Sequence, residues 1–146
     1  MTTAQTQAGP TTMELKPYIF FYGRCEEALK FYKSVLGGTY ELQRIEGSPM
    51  EGQVSPDFVN KVMHASFTAP GVAFFASDGP KAKRIDPEEG NISLALALPD
   101  RATGDRVFAA LSEGGSVTSP LQDAFWGGRF GSIQDRFGNE WLITSP

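Results

Sequence analysis

The 146-residue sequence predicts an α+β fold of two tandem βαβββ modules, and three observations predict it. Two amphipathic helical segments, each closed by a Gly-Gly pair, are each preceded by one strand-like segment and followed by three. Phe31, Gly37 and Gly38 stand 77 positions before Phe108, Gly114 and Gly115, so both helices end in the same way. The last strands align at a shorter offset of 68, Gly71 with Asn139 and Ser77 with Ser145, which places a nine-residue length difference in the connecting loops.

The elements follow in order. Residues 1–12, rich in Thr, Gln, Ala and Gly, have neither strand nor helix periodicity and read as a disordered leader. One domain spans 13–146, with module one at about 13–79, a connector at about 80–90 and module two at about 91–146. The aromatic segment LKPYIFFY (15–22) predicts a strand broken by Gly23 and Arg24. The segment CEEALKFYKSVLGG predicts a helix: Glu26 and Glu27 suit its positive N-terminal end, Ala28, Phe31, Tyr32 and Val35 form the apolar stripe, and Gly37-Gly38 stops it. Strands are expected at 40–45, 62–68 and 72–77, the first two separated by a Gly/Pro/Ser-rich excursion over 47–56. Pro80, Pro87 and Gly90 break the charged connector. The pattern then repeats, with a strand at 92–98, a cap at Asp100, a helix over 101–113 that buries Val107, Phe108 and Leu111, and strands at 117–122, 129–134 and 140–144.

Composition removes whole classes of function. With 40% hydrophobic and 12% aromatic residues the chain can bury a core without disulfides or metals. A net charge of -4 and a pI near 5.0 leave no basic footprint, so neither nucleic acid nor an anionic membrane is expected as a partner. One histidine and one cysteine cannot build a zinc finger or a two-histidine zincin site, and Cys25 has no partner for an intrachain disulfide. The N-terminus has no apolar core of a signal peptide, and no apolar run approaches the roughly 20 residues of a membrane span. We expect a soluble, cytoplasmic protein.

The local wording goes further. The segments PYIFFYGRCEEALKFYKSVLGG, KVMHASF, ASDGP, GNISLAL and LSEGGSVTSPLQDAFWGGRFGSIQDRFGNEW together resemble the PhnB-like branch of the vicinal oxygen chelate superfamily over about residues 15–144. That superfamily includes glyoxalase I, extradiol dioxygenases, and fosfomycin and bleomycin resistance proteins. The resemblance implies a cup-shaped mixed sheet with helices on its outer face, a small-molecule site in the cup, and homodimers. It also carries a 3-demethylubiquinone methyltransferase label, which the residues do not support. A methyltransferase using S-adenosylmethionine usually has a glycine-rich turn opening a helix in a doubly wound sheet, whereas the cluster at Gly127, Gly128 and Gly131 leads into a strand.

In catalytic members of the superfamily, four His, Gln or Glu side chains from the first and last strands of each module hold one divalent metal. Carried onto this register, those positions are Lys16 or Pro17, Phe74, Ser93 and Leu142, none of them a credible ligand. No cofactor is therefore expected. A displaced divalent metal on His64, Asn91 and Glu140 is the alternative, because Asn91 shares a face with Ser93 and Glu140 with Leu142. For ligand binding the candidates are His64, Asn91, Ser93, Gln122, Trp126, Arg129 and Phe130. His64, expected on one face with Val62 and Ser66, is either a structural residue or the catalytic acid/base. Trp126 and Phe130 either wall in an unknown small molecule or plug the cup. Arg129 either grips a carboxylate or phosphate or pairs with Asp135. Asp135 and Asp78 read as turn residues, the latter with an open reading as a pocket-rim acid or base. Two functions remain, a metal-free ligand-binding protein or a lyase- or dioxygenase-type enzyme.

Overall fold

The computed structural model describes residues 12–86 and 88–146, so the expected leader, apart from Thr12, lies outside the described residues, as does Pro87 of the connector. Module one consists of β1 (Tyr18–Phe20), α1 (Cys25–Leu36), β2 (Thr39–Arg44), β3 (Val62–Ala69) and β4 (Val72–Ser77). Module two repeats the order with β5 (Leu94–Ala97), α2 (Arg101–Ser112), β6 (Ser116–Asp123), β7 (Arg129–Gln134) and β8 (Glu140–Ser145). Each module forms its own four-stranded mixed sheet, β1-β4-β3-β2 and β5-β8-β7-β6, in which the first strand runs parallel to the last and the other pairs are antiparallel.

β1 is shorter than the apolar run that predicts it, because Pro17 has no N–H for a ladder: its carbonyl accepts from Phe75 N at 2.9 Å, and regular pairing starts at Tyr18. The excursion before β3 contains two 3₁₀ turns, Glu51–Gln53 and Pro56–Phe58, which its turn-rich composition did not announce. Helix α1 buries Cys25, Ala28, Leu29, Tyr32 and Val35, a three-four spacing that lays one stripe on the first sheet. Helix α2 buries Gly104, Val107 and Leu111 and starts at Asp100, whose carboxylate accepts from Thr103 N at 2.7 Å.

The repeated glycine pairs divide two tasks. The first of each pair, Gly37 (φ 75°) and Gly114 (φ 79°), turns the chain through the left-handed region past the helix end. The second allows strand contact: a Cβ on Gly38 would lie 2.3 Å from the Thr68 carbonyl oxygen, and one on Gly115 would lie 2.1 Å from that of Gln134. Thr68 is the penultimate residue of β3 and Gln134 the last of β7, the equivalent strand, so the duplication extends to this contact.

One core joins the modules. Phe21, Tyr32, Phe67 and Phe74 of module one pack in the same cluster as Val107, Ile133, Phe137 and Trp141 of module two. At its centre the Tyr32 hydroxyl donates to Asp135 Oδ2 at 2.5 Å, Trp141 Nε1 donates to the same oxygen at 2.9 Å, and Asn139 Nδ2 donates to Tyr32 at 3.0 Å. Each helix therefore covers one face of its sheet, and the opposite faces stay open.

Candidate functional site

Strand alternation decides what each open face presents. On the first sheet, Tyr18, Phe75, Ser66 and Glu41 are register neighbours across all four strands and share the open face, with Phe20 and His64 two residues along. Phe67, Phe74, Ala65 and Ala76 take the core face. Phe74, the position expected to face the cup on β4, thus points into the core, and Phe75 replaces it. Val62 also differs from expectation. Gln43 pairs with His64 but Arg44 pairs with Val62, a β-bulge that puts the extra residue, Met63, on the open side and sends Val62 into the core.

His64 is half-buried among aromatic rings. Its Nδ1 lies 3.1 Å from the Tyr18 hydroxyl, and its ring centroid is 5.7 Å from Tyr18 and 5.3 Å from Phe75. Burial lowers its pKa below the usual 6.5, so the neutral imidazole prevails at neutral pH and can accept the phenolic proton in a hydrogen bond. On one side a depression of about 350 Å³ is lined by Glu41, Gln43, His64 and Ser66. On the other, an apolar cleft of about 300 Å³ is bounded by Tyr18, Phe20, Ile45, Met50, Val54 and Met63. Tyr18 and Phe20 remain 43% and 45% exposed, a large commitment of aromatic surface to solvent. The sequence reading missed these rings, although the period-2 spacing of Tyr18 and Phe20 beside Phe75 was there to find.

The open face of the second sheet holds most of the other candidates. Gln122, Phe130 and Thr144 are register neighbours, Trp126 packs on Phe130 with ring centroids 5.9 Å apart, and Ser93 donates to Glu140. Asn91 sits in the loop before β5, where it shares a depression of about 290 Å³ with Ser93 and Glu140. Trp126 is 63% and its neighbour Phe125 97% exposed at the tip of the β6–β7 hairpin.

Arg129 does not join them. Its side chain is buried against α2, where Nε donates to Ser145 Oγ at 3.1 Å, Nη1 to Asp105 at 2.7 Å and Nη2 to the Arg101 carbonyl at 3.0 Å. As first residue of β7 it alternates onto the helix side, opposite Phe130, and its fork is consumed in locking α2 to the sheet. The expected ligand grip is therefore absent, and so is the expected pairing with Asp135.

The two aspartates are structural. Asp78, 1% exposed, accepts from the backbone N–H groups of Gly23 and Cys25 through Oδ1 and of Val62 through Oδ2, tying the start of α1 to the sheet. Cys25 lies beneath it, and burial together with the Asp78 charge pushes its thiol far above its usual range, which removes it as a nucleophile. A cavity of about 560 Å³ lies beside this junction and away from His64; within it Arg44 Nη2 pairs with Glu26 at 3.0 Å.

Of the expected ligand positions, Lys16 and Pro17 precede β1, with the Lys16 ammonium 5.2 Å from the Phe75 ring centroid, Phe74 lies in the core, and Ser93 and Leu142 complete a set without imidazole, thiolate or carboxylate donors. The displaced alternative is split, with His64 on the first sheet and Asn91 and Glu140 on the second. Among the described residues no three His, Cys, Asp or Glu side chains come together. Within one chain, these positions bring together no set of donors for a divalent metal among the described residues.

Comparison with known proteins places this architecture. A family model described as 3-demethylubiquinone-9 3-methyltransferase matches residues 13–144. Protein PA1353 from Pseudomonas aeruginosa is 36% identical in sequence, with a TM-score of 0.75 over 92% of this chain and 98% of that one. The Escherichia coli K12 protein YjdN is 28% identical over 144 residues, covering 90% of this chain and 95% of its own. A PhnB protein from Bacillus cereus, called a putative 3-demethylubiquinone-9 3-methyltransferase, shares the fold at a TM-score of 0.73 and 24% identity, over 92% of this chain and all of that one.

Proposed function

The chain belongs to the family described as 3-demethylubiquinone-9 3-methyltransferase, the PhnB-like branch of the vicinal oxygen chelate superfamily, and from that membership we propose that it is a metal-independent binder of small, largely apolar molecules. The observation that carries the reading is the solvent-open aromatic face around His64, where a neutral imidazole held by Tyr18 sits between an apolar cleft and a polar depression. Such a face suits a ring or short hydrocarbon with one hydrogen-bonding group, and suits a charged ligand poorly. The family description does not carry a methyltransferase reading here, because two four-stranded mixed sheets are not the doubly wound sheet on which such enzymes usually bind their cofactor.

The cavities beside His64 are lined by module one, and the depression around Asn91 and Glu140 by module two and the connector. A second copy related by a two-fold axis would set the Tyr18–Phe75 face of one protomer against the Trp126–Phe130 face of its partner and cover both. The proposed ligand site is the space enclosed between them, in a homodimer. Among the described residues no helix is long and apolar enough to cross a membrane.

The test is a thermal-shift and tryptophan-fluorescence screen with phenols and aromatic ketones, after elemental analysis and titration with Zn, Mn, Ni and Fe(II). We expect no tight stoichiometric metal, and at least one probe whose affinity falls about tenfold in His64→Ala and in Trp126→Ala, the loss of a buried contact worth about 1.4 kcal/mol. Stoichiometric metal binding abolished by His64→Ala would overturn the metal-independent reading. The Tyr18–His64 hydrogen bond also favours a second reading, acid/base catalysis on a small oxygenated metabolite. Turnover that His64→Ala abolishes while affinity survives would select it.

A further inference from the structure

A second cleft lies away from both open faces, at the junction of the two modules. It encloses about 420 Å³ and is lined by Arg24 from the start of α1, Lys83 and Arg84 from the connector, and Arg136 from the β7–β8 turn. Its floor is Phe21, Ile85 and Phe137, and its far rim is the turn Gly114–Ser116. Four cations thus converge in a molecule whose net charge is -4. The one carboxylate lining the cleft, Asp135, already accepts four hydrogen bonds, from Tyr32, Trp141, Phe137 N and Asn139 N.

Three of the four cations are held in place, Arg84 being exposed. The Arg24 guanidinium lies 4.5 Å from the Phe137 ring centroid, that of Arg136 4.2 Å from Phe31, and the Lys83 ammonium 5.3 Å from Tyr22. Arg24 Nη1 donates to the Arg136 carbonyl at 3.1 Å, which fixes the two arginines relative to each other. Glu27 pairs with Arg24 and Glu113 with Arg136 at the rim, but Arg136 Nη1 makes no bond, and Lys83 and Arg84 form no ion pair among the described residues. Unused donors on Arg136 and Lys83, each stacked on an aromatic ring, together with the exposed Arg84 guanidinium, are the elements of an oxyanion site. The volume is in the range of small-ligand pockets and fits a phosphate group with a modest substituent.

We propose that this intermodule cleft binds a small phosphate-bearing molecule, with Arg84, Lys83 and Arg136 as its direct donors. The site is separate from the His64 face, and neither depends on the other.

Isothermal titration of the full chain with inorganic phosphate and pyrophosphate, at constant ionic strength with chloride as the control anion, tests it. We expect saturable binding that chloride does not reproduce, weakened at least about fivefold in Lys83→Gln/Arg84→Gln, the loss expected when charge-assisted bonds are removed. Both positions are exposed, so the variant should fold, which an unchanged circular dichroism spectrum confirms. His64→Ala should bind pyrophosphate as the wild type does. Absence of saturable binding in the wild type, or a loss smaller than fivefold in the double variant, would overturn the proposal. Tighter binding of citrate than of pyrophosphate would replace the phosphoryl class with polycarboxylates and so overturn it too.

Discussion

His64 is the one histidine of the chain, and its surroundings set a pH dependence with a definite sign. Burial among Tyr18 and Phe75 disfavours its charged form in the folded state and lowers its pKa from 6.5, whereas the unfolded chain titrates near that usual value. The unfolded state therefore takes up the proton first as pH falls. The histidine's contribution is fully present above about pH 6.5 and is lost as pH drops through the lower folded value. Because the ring is only half-buried, solvent screening keeps the effect modest. Urea unfolding across this window should show a steeper loss of stability in the wild type than in His64→Gln, and equal slopes would refute the assignment. Seeing a strand histidine in the sequence was straightforward; seeing its phenol partner was not, because Tyr18 lies 46 residues away on a strand that meets β3 only through β4.

At the scale of elements, the helix ends carry the clearest link between sequence and geometry. Gly38 and Gly115 lie where β2 and β6 begin against equivalent strands, and the nearest atom to an added Cβ is in each case a backbone carbonyl oxygen that cannot move aside. We expect Gly38→Ala and Gly115→Ala each to cost more than about 2 kcal/mol in urea unfolding. Gly37→Ala, which meets no atom within 4 Å but must hold φ 75°, should cost about 1 kcal/mol. Equal costs at Gly37 and Gly38 would show that conformational freedom alone explains the pair. Strands read well wherever alternation was unbroken: the expected 72–77 and 129–134 are the observed β4 and β7. Errors concentrate where a bulge or proline interrupts the ladder, as at Met63, which reversed the expected face of Val62, and at Pro17, which shortened β1. Arg129 failed for a related reason. Alternation put it opposite Phe130, but only the packed helix α2 shows that its side then faces Asp105 rather than a ligand.

At the scale of the molecule, the modules share one core and are joined through Tyr32, Asp135 and Trp141. Neither sheet has a second layer of its own apart from its helix, so the modules should not unfold independently. Tryptophan fluorescence, dominated by Trp141 in the core and Trp126 on the hairpin, and far-ultraviolet circular dichroism should give coincident urea transitions. Tyr32→Phe should lower stability by about 1–3 kcal/mol by leaving Asp135 short of a donor and Asn139 Nδ2 without an acceptor, while the transitions remain coincident. Separated transitions would mean that the duplication is energetic as well as topological.

By itself the sequence determined the α+β class, the two βαβββ modules, their order of elements and the family, because periodicity, glycine pairs and local wording are properties of neighbouring residues. Only the tertiary structure decided which side chains meet. It moved Arg129 from recognition to support, sank Asp78 and Asp135 into backbone and indole bonds, and gathered Tyr18, Phe75 and His64 on one open face. It also brought Arg24, Lys83, Arg84 and Arg136 together from three distant segments. The physical reason is that contacts across parallel strand pairs and between modules join residues tens of positions apart, and their register depends on bulges and packing that no local pattern encodes.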